Sequence, residues 1–425
     1  MSLLLSVVRN APRSARLRVV LVRSFATESV TPTPSPSDIP PLPLSIPKSN
    51  KPRLYPHPRP AVSHRHLPIP NLPASFGKNQ LLPVSNSTRA LLEAIVAGFD
   101  APIRYAFAYG SGVFEQDGYV NPSTPTAGSS AKTDDIPMLD FMFAVTHPAH
   151  FHSINMHQHP NHYPLHARLL GSSYVSKMEE LGPGVWFNAY VPMNGVTIKY
   201  GVTTVDNLCS DLLNWNTLYL AGRMHKPLRI IKDDARVRLT QQVNLTSAVR
   251  AALLTLPESF TEDELFERIA GISYSGDPRM LLPAENRGKV ANIVRKQSPQ
   301  FKELYHRLVV ALPGVHWPSE SSVIQQDVSA RARSAHLKKL PSNLLTGVKN
   351  NYRRRNSGTL LETDESAYLV HLAGDERLPR VLAEETARIV RYPATVQSLK
   401  GLASVGIGKS LRYSTAKIGK WWNGS

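Results

Sequence analysis

One cysteine, Cys209, stands in the whole 425-residue chain. A single thiol excludes an intramolecular disulfide and any cysteine-rich zinc site. No apolar run approaches the roughly 18–20 residues that a membrane-spanning helix needs, so a soluble or peripheral protein is expected. Acidic residues are also in short supply. There are 32 Asp and Glu against 49 Lys and Arg, a formal charge of +17. A surplus of that sign favours anionic partners: nucleic acid, nucleotide phosphates or an anionic membrane surface. No acid precedes Glu28 and none follows Glu385, so both ends are purely basic.

The acid-free start, residues 1–25, carries Arg9, Arg13, Arg16, Arg18 and Arg23 among leucines and valines. That is the composition of a mitochondrial presequence, and the arginines interrupt the continuous apolar core of a secretory signal. Residues 26–80 read as a linker, with 14 prolines between positions 30 and 73. Proline at that density blocks helix and sheet ladders and leaves an extended chain.

The folded part is expected from Leu81. Residues 87–96 have helical spacing. Residues 103–109 read as a strand that ends in Tyr109-Gly110-Ser111-Gly112. A Gly-Ser turn leaving a strand lets backbone approach a phosphate closely, so Gly110 and Ser111 are candidate phosphate contacts. A second apolar strand, 138–145, holds one carboxylate, Asp140. A buried carboxylate is costly unless it is paired or binds a metal, which makes Asp140 a candidate Mg²⁺ ligand. The alternate carboxylate of polymerase-β-like sites is missing, because Met142 occupies that position. Asp134 and Asp135 could supply it or belong to a solvated loop.

Seven histidines follow between His147 and His166. Their spacings match no zinc motif, and the favoured reading is a polar helix and loop lining the pocket, through His152, Asn155, Asn161 and His162. Residues 185–191 and 196–202 form a hairpin about Asn194-Gly195. Lys199 in its second strand either neutralises phosphate charge or faces outward. A helix from Asp206, its expected N-cap, carries Leu208, Leu212 and Trp215 into the core. Residues 244–310 form a helical module with a capping box at Thr261–Glu264. Arg279 within it could bind phosphate or pair with Asp277 or Glu285. The basic stretch 331–355 reads as a solvated face or arm. The last residues make an amphipathic helix with Lys409, Arg412, Lys417 and Lys420 around an apolar face, and Trp421-Trp422 at headgroup level. Docking on the protein's own core is the alternative.

Several motifs coincide with one family. Tyr109–Phe114, Met138–Phe141, His152 with Asn155, Asn161-His162-Tyr163, Ile198–Val202, Asp211–Trp215, Tyr219–Arg223, Lys226-Pro227, Leu256–Phe260, Tyr274–Asp277 and Arg279-Met280 are the matching pieces. The chain resembles the mitochondrial translocator assembly and maintenance proteins, the peripheral CDP-diacylglycerol synthases of the matrix. The resemblance runs from about residue 85 to 310 and resumes near 390; residues 315–385 match poorly. It implies an α+β protein with a polymerase-β-like nucleotidyltransferase domain (81–240) and a helical winged-helix-like domain (241–315). A variable basic region (316–390) and a membrane-binding tail (391–425) would follow. It further implies Mg²⁺ as cofactor and CTP, phosphatidic acid and anionic inner-membrane lipid as partners, with nucleic acid not expected. The location would be peripheral, on the matrix side of the inner membrane. Gly110, Ser111 and Arg223 would then hold nucleotide, and Asp140 and Lys199 would serve catalysis. The rival readings are a mitochondrial RNA nucleotidyltransferase and a non-catalytic assembly factor of the import machinery.

Overall fold

The computed structural model describes residues 72–73, 75–110, 112–114, 138–281, 288–355 and 364–405, without the side chains of 281 and 402–405. The presequence, Ser111, Asp134, Asp135, Glu285 and the tail residues Lys409, Arg412, Lys417, Lys420, Trp421 and Trp422 lie outside the described residues.

The expected first helix is α1 (Asn86–Ala97), started by Ser85, whose hydroxyl accepts from the Thr88 N–H. The expected strands are β1 (Tyr105–Tyr109) and β2 (Leu139–Val145). Helices α2 (Pro148–Gln158) and α3 (Leu165–Glu180) lead to the hairpin of β3 (Trp186–Met193) and β4 (Val196–Thr204). Its turn residues Asn194 and Gly195 have φ of 49° and 78°. A two-residue hairpin turn whose twist matches its strands requires both to be positive, which Asn-Gly adopts at least cost. Helix α4 (Val205–Asn214), β5 (Leu228–Lys232) and α5 (Ala235–Leu253) follow. The strands form one sheet in the order β3-β4-β2-β1-β5, with β2 and β4 parallel and the other neighbours antiparallel.

Strand alternation sorts the sheet's side chains into two cores. Tyr105, Phe107, Met142, Ala144 and Phe187 pack with α4 and α5. Ala106, Ala108, Phe141, Phe143, Tyr200 and Val202 pack with α1 and α2. Coverage of both faces is why the central strands are apolar almost throughout. Each fully buried phenylalanine there contributes on the order of 2–3 kcal/mol.

The second module runs α5, β6 (Ser259–Thr261), α6 (Glu262–Gly271), α7 (Lys289–Val310), β7 (Val315–His316) and β8 (Val323–Gln326). Its three strands pair in the order β6-β8-β7. The capping box at Thr261 and Glu264 forms as expected. Helices α8 (Ala330–Leu337), α9 (Ser342–Arg355), α10 (Glu365–Gly374) and α11 (Leu378–Val405) complete the described chain.

Several expectations are corrected. The linker does not extend to residue 80: Asn79 donates to the Leu304 carbonyl at 2.8 Å and Gln80 to Gln242 at 2.7 Å, tying this segment to α7 and α5. The boundary at 240 falls inside α5, and that at 315 separates β7 from β8, its own sheet partner. The 331–355 stretch is not a free arm. It folds as α8 and α9, buries Leu337, Leu344 and Val348, and pairs Arg355 with Glu384 and Lys349 with Glu365. The N-cap of α4 is Thr204, whose extended backbone aims its hydroxyl at the Asn207 N–H; Asp206 is the second residue of the helix and pairs with Arg236.

The described part of the tail is also docked, because the boundary at 390 falls inside α11. Val396 packs where a side chain on Gly182 would stand, and Lys400 Nζ donates to the carbonyls of Glu179 and Leu181 at 3.2 and 2.9 Å. The other end of α11 presses its Ala387 backbone against Gly276, where a Cβ would come within 2.5 Å. One helix therefore braces both modules.

Candidate active site

Three neighbouring strands set Tyr109, Asp140 and Lys199 in one row. Tyr109 is opposite Asp140 in the β1–β2 pairing, and Asp140 is opposite Lys199 in the β2–β4 pairing. Residues in register share a face of the sheet. Lys199 Nζ lies 3.7 Å from Asp140 Oδ1, an ion pair beyond hydrogen-bond reach, and 4.7 Å from the centre of the Phe187 ring. Among the described residues the Oδ1 atom is buried without a hydrogen-bond partner. Gly110 follows Tyr109 with φ of 91°, and a Cβ there would stand 3.5 Å from Asp140 Oδ2. Glycine thus gives the turn a left-handed backbone and leaves room beside the carboxylate.

Burial pushes the Asp140 carboxyl above its ordinary range, while Lys199, Arg223 and Lys289 oppose that rise. Burial pushes the Lys199 ammonium below its usual range; Asp140 counters, and Arg223 and Arg279 add to the lowering. Several cations thus surround one carboxylate, an arrangement that lacks negative charge until an anion binds.

Arg223 is delivered by the segment between α4 and β5, which is held from two sides. On one side Asp211 of α4 is buried, and its carboxylate accepts from the Thr217, Leu218, Leu220 and Ala221 N–H groups at 2.7–3.1 Å. On the other, Asn244 of α5 donates to the Ala221 carbonyl at 3.1 Å and Gln241 to the Met224 carbonyl at 2.6 Å. The Arg223 guanidinium is fixed 3.7 Å from the Tyr219 ring centre and donates to the Tyr219 carbonyl at 2.5 Å. Burial works against its charge, but Tyr219, Tyr109 and Asp140 more than offset this. Lys226 donates to the Gly222 carbonyl and Ser273; burial, with Arg223 and Lys289 nearby, pushes its ammonium down to about 7. Replacing Asp211 by asparagine puts an amide N–H against these donors. Urea denaturation of Asp211→Asn should show a loss of about 3 kcal/mol.

A divalent cation fits here only in one form. Among the described residues no group of three or more His, Cys, Asp or Glu side chains could hold a metal ion. Mg²⁺ does not need one: it keeps several waters and is commonly bound by one or two carboxylates plus substrate phosphates. The unsatisfied Asp140 Oδ1 suits that role. The set fits a cation that arrives with a triphosphate and does not fit an all-protein cage.

The sequence reading is sorted accordingly. Gly110, Asp140, Lys199 and Arg223 come together. Arg279 reaches the same cationic cluster while pairing with Asp277 through two donors, at 3.0 and 2.6 Å. His152, Asn155 and His162 do not line the site. Tyr200 follows Lys199 on β4 and so points to the opposite face. There Asn155 donates to the hydroxyls of Tyr163 and Tyr200, His152 bonds Tyr163 and Glu179, and His162 bonds Tyr200. Asn161 is exposed in a short turn. Asp211, Gln241 and Asn244 were not singled out as site residues. An amphipathic helix interrupted by a buried carboxylate, or by a Gln and an Asn one turn apart, is the signal that could have found them.

The same opposite-face network gives a pH prediction. Burial pushes the Glu179 carboxyl up to about 9, with Lys400 opposing, and pushes His152 down to about 3. A raised carboxyl keeps its proton in the folded state, so this group's contribution to stability falls as pH rises toward about 9. His152 acts in the opposite sense only below its ordinary value of 6.5, and Lys400, lowered to about 8, only above that. Between those limits the wild-type Tm should decline relative to that of Glu179→Gln, as followed by calorimetry.

Among the described residues no helix is long and apolar enough to cross a membrane. The family described as phosphatidate cytidylyltransferase, mitochondrial, matches residues 92–420. A Xenopus laevis protein of that name is 37% identical, covering 80% of this chain and 96% of its own length. One from Saccharomyces cerevisiae is 42% identical over 55% of this chain and 59% of its own. One from Schizosaccharomyces pombe is 36% identical over 81% of this chain and 86% of its own. The shared stretch includes the row of strands carrying Asp140 and Lys199 and the helices that hold Arg223, and this chain belongs to the mitochondrial phosphatidate cytidylyltransferase family.

Proposed function

We propose that the protein transfers the cytidylyl group of CTP to phosphatidic acid, giving CDP-diacylglycerol and pyrophosphate. The observation that carries this reading is the Asp140 Oδ1, without a hydrogen-bond partner among the described residues, beside the Gly110 turn and ringed by Lys199 and Arg223. Gly110 and Ser111 contact the triphosphate. Lys199 and Arg223 bind its charged oxygens, the guanidinium through its planar fork of donors. Asp140 would hold Mg²⁺, which when bound supplies charge neutralisation on the triphosphate and the departing pyrophosphate. A phosphate oxygen of the lipid attacks the α-phosphorus; the new P–O bond forms as the bond to the β-phosphate oxygen breaks, and pyrophosphate leaves with that electron pair. The lipid phosphate is already ionised near neutrality, so no side chain need act as general base.

The five-stranded unit is read as a polymerase-β-like nucleotidyltransferase domain. Residues 235–326 are read as a winged-helix module, which the order helix-strand-helix-helix-strand-strand and the β6-β8-β7 pairing support. Its site of action is read as the matrix face of the mitochondrial inner membrane, with the basic tail residues Lys409–Trp422 on anionic lipid; the presequence composition supports entry into the matrix.

Incubation of the purified protein with α-³²P-CTP, Mg²⁺ and vesicles containing phosphatidic acid should move label into an organic-extractable nucleotide lipid. Label entering added RNA instead would select the RNA nucleotidyltransferase. Label entering neither would select the assembly factor.

A further inference from the structure

Helix α3 is broken at Gly171, whose φ of 79° and ψ of 178° separate Leu165–Leu170 from the remainder. In that first half Leu165, Leu169 and Leu170 are 67%, 77% and 60% exposed, while Ala167 packs inward in a small core with Trp186. Three leucines within six residues is a concentrated apolar face, where scattered single residues would need no explanation. Arg168 is exposed among them, and no Asp or Glu stands anywhere between Asp140 and Glu179. At the far end of α3, Leu181 is 50% exposed and accepts from Lys400 on α11, whose neighbour Leu399 is 63% exposed.

We propose that this face rests on an anionic lipid bilayer, with the leucines entering the headgroup boundary and Arg168 meeting lipid phosphate. It is a second membrane contact, separate from the tail residues Lys409–Trp422. Charge decides the occupant. The segment Leu165–Leu170 carries Arg168 and no acid, which matches an in-plane membrane helix. Each basic residue near such a surface adds attraction that falls off within a Debye length. The face lies on the other side of the sheet from the site: α3 packs on Trp186 of edge strand β3, and the next residue, Phe187, points the opposite way, beneath the Lys199 ammonium. The β3 ladder is interrupted between Asn188 and Val191, beside Lys199. The face therefore borders edge strand β3, the neighbour of the strand that carries Lys199. The choice of phosphatidic acid as the anionic lipid rests on the proposed function.

The test is flotation of the full chain with vesicles of phosphatidylcholine, with and without phosphatidic acid, in the absence of CTP. Leu165→Gln, Leu169→Gln and Leu170→Gln combined should lower the partition coefficient by at least about tenfold. Arg168→Glu alone should lower it by about fivefold at low salt on the anionic vesicles, with little change on the neutral ones. Turnover of a short-chain, soluble phosphatidic acid by the triple variant should match the parent. Parental flotation by both variants would overturn the proposal. So would light scattering that finds a dimer in the parent and a monomer in the triple variant, since the face would then be a self-interface. Failure of the parent to turn over CTP would count against the catalytic reading and leave the flotation result standing.

Discussion

Asp140→Asn should lower kcat by at least about a thousandfold, the scale on which loss of one preorganised electrostatic element acts. The protein should remain folded, with a Tm at or above that of the parent. Both expectations follow from one geometry. The carboxylate supplies the negative charge facing the Gly110 turn, and among the described residues its Oδ1 has no hydrogen-bond partner, only the Lys199 ammonium at 3.7 Å. The amide keeps the shape and removes the charge. Burial raises the Asp140 carboxyl, so the folded state holds its proton more tightly than the unfolded chain. Its contribution to stability therefore declines as pH rises above the ordinary carboxylate range, and the asparagine lacks that decline. Lys199, whose side chain is 32% exposed, loses its partner but keeps contact with water. A steady-state assay at saturating CTP beside a thermal melt measures both. Retained turnover would remove Asp140 from the chemistry.

Lys199→Met should lower kcat/KM near neutrality by about a hundredfold and move the acid limb of the pH profile upward. Lys199 is the strongest of the groups opposing the burial-driven rise of Asp140. Without it Asp140 keeps its proton to higher pH, so the ionised form is reached later and part of the loss returns as pH is raised. Methionine retains an unbranched apolar stem and removes the ammonium that faces Asp140 and the Phe187 ring. Profiles of kcat/KM for the two proteins give the answer. An unmoved acid limb would mean that the ionisation of Asp140 does not govern the reaction.

Much of the site was legible because its parts are local. A strand ending in glycine, a carboxylate within an apolar strand and a hairpin lysine each leave a mark within a few residues. Strand register then makes neighbours of Asp140 and Lys199, which are far apart in sequence. The helix at 87–96, the strands at 103–109 and 138–145 and the hairpin at 185–202 were readable for the same reason. What was not readable depends on partners distant along the chain. The side of the sheet to which His152 and Asn155 belong is decided by Tyr200 and Glu179. Asp211 looks like an ordinary helix residue until the following loop folds back onto it. The basic stretch 331–355 carries the charge of a free arm, and only the acids of α10 and α11 reveal a packed layer. The boundaries at 240 and 390 fall inside helices α5 and α11, and no change of composition marks those crossings; the one at 315 cuts between β7 and β8, whose pairing leaves no local signal.

The brace formed by α11 bears on the order in which the molecule is made. Its bond from Lys400 to Leu181 closes a sequence separation of 219 residues, one of the longest-range contacts in the described chain. Contacts of that range carry the largest loop-closure cost and are disfavoured early in folding. A chain emerging from its N-terminus can pair β1 with β2 and form the β3–β4 hairpin long before α11 exists. The loop bearing Arg279 acquires its backing from Ala387 only afterwards. Completion of the site is thus deferred until nearly the entire polypeptide is available, and a chain interrupted before residue 387 would display the strands of the site without the helix that braces its two modules.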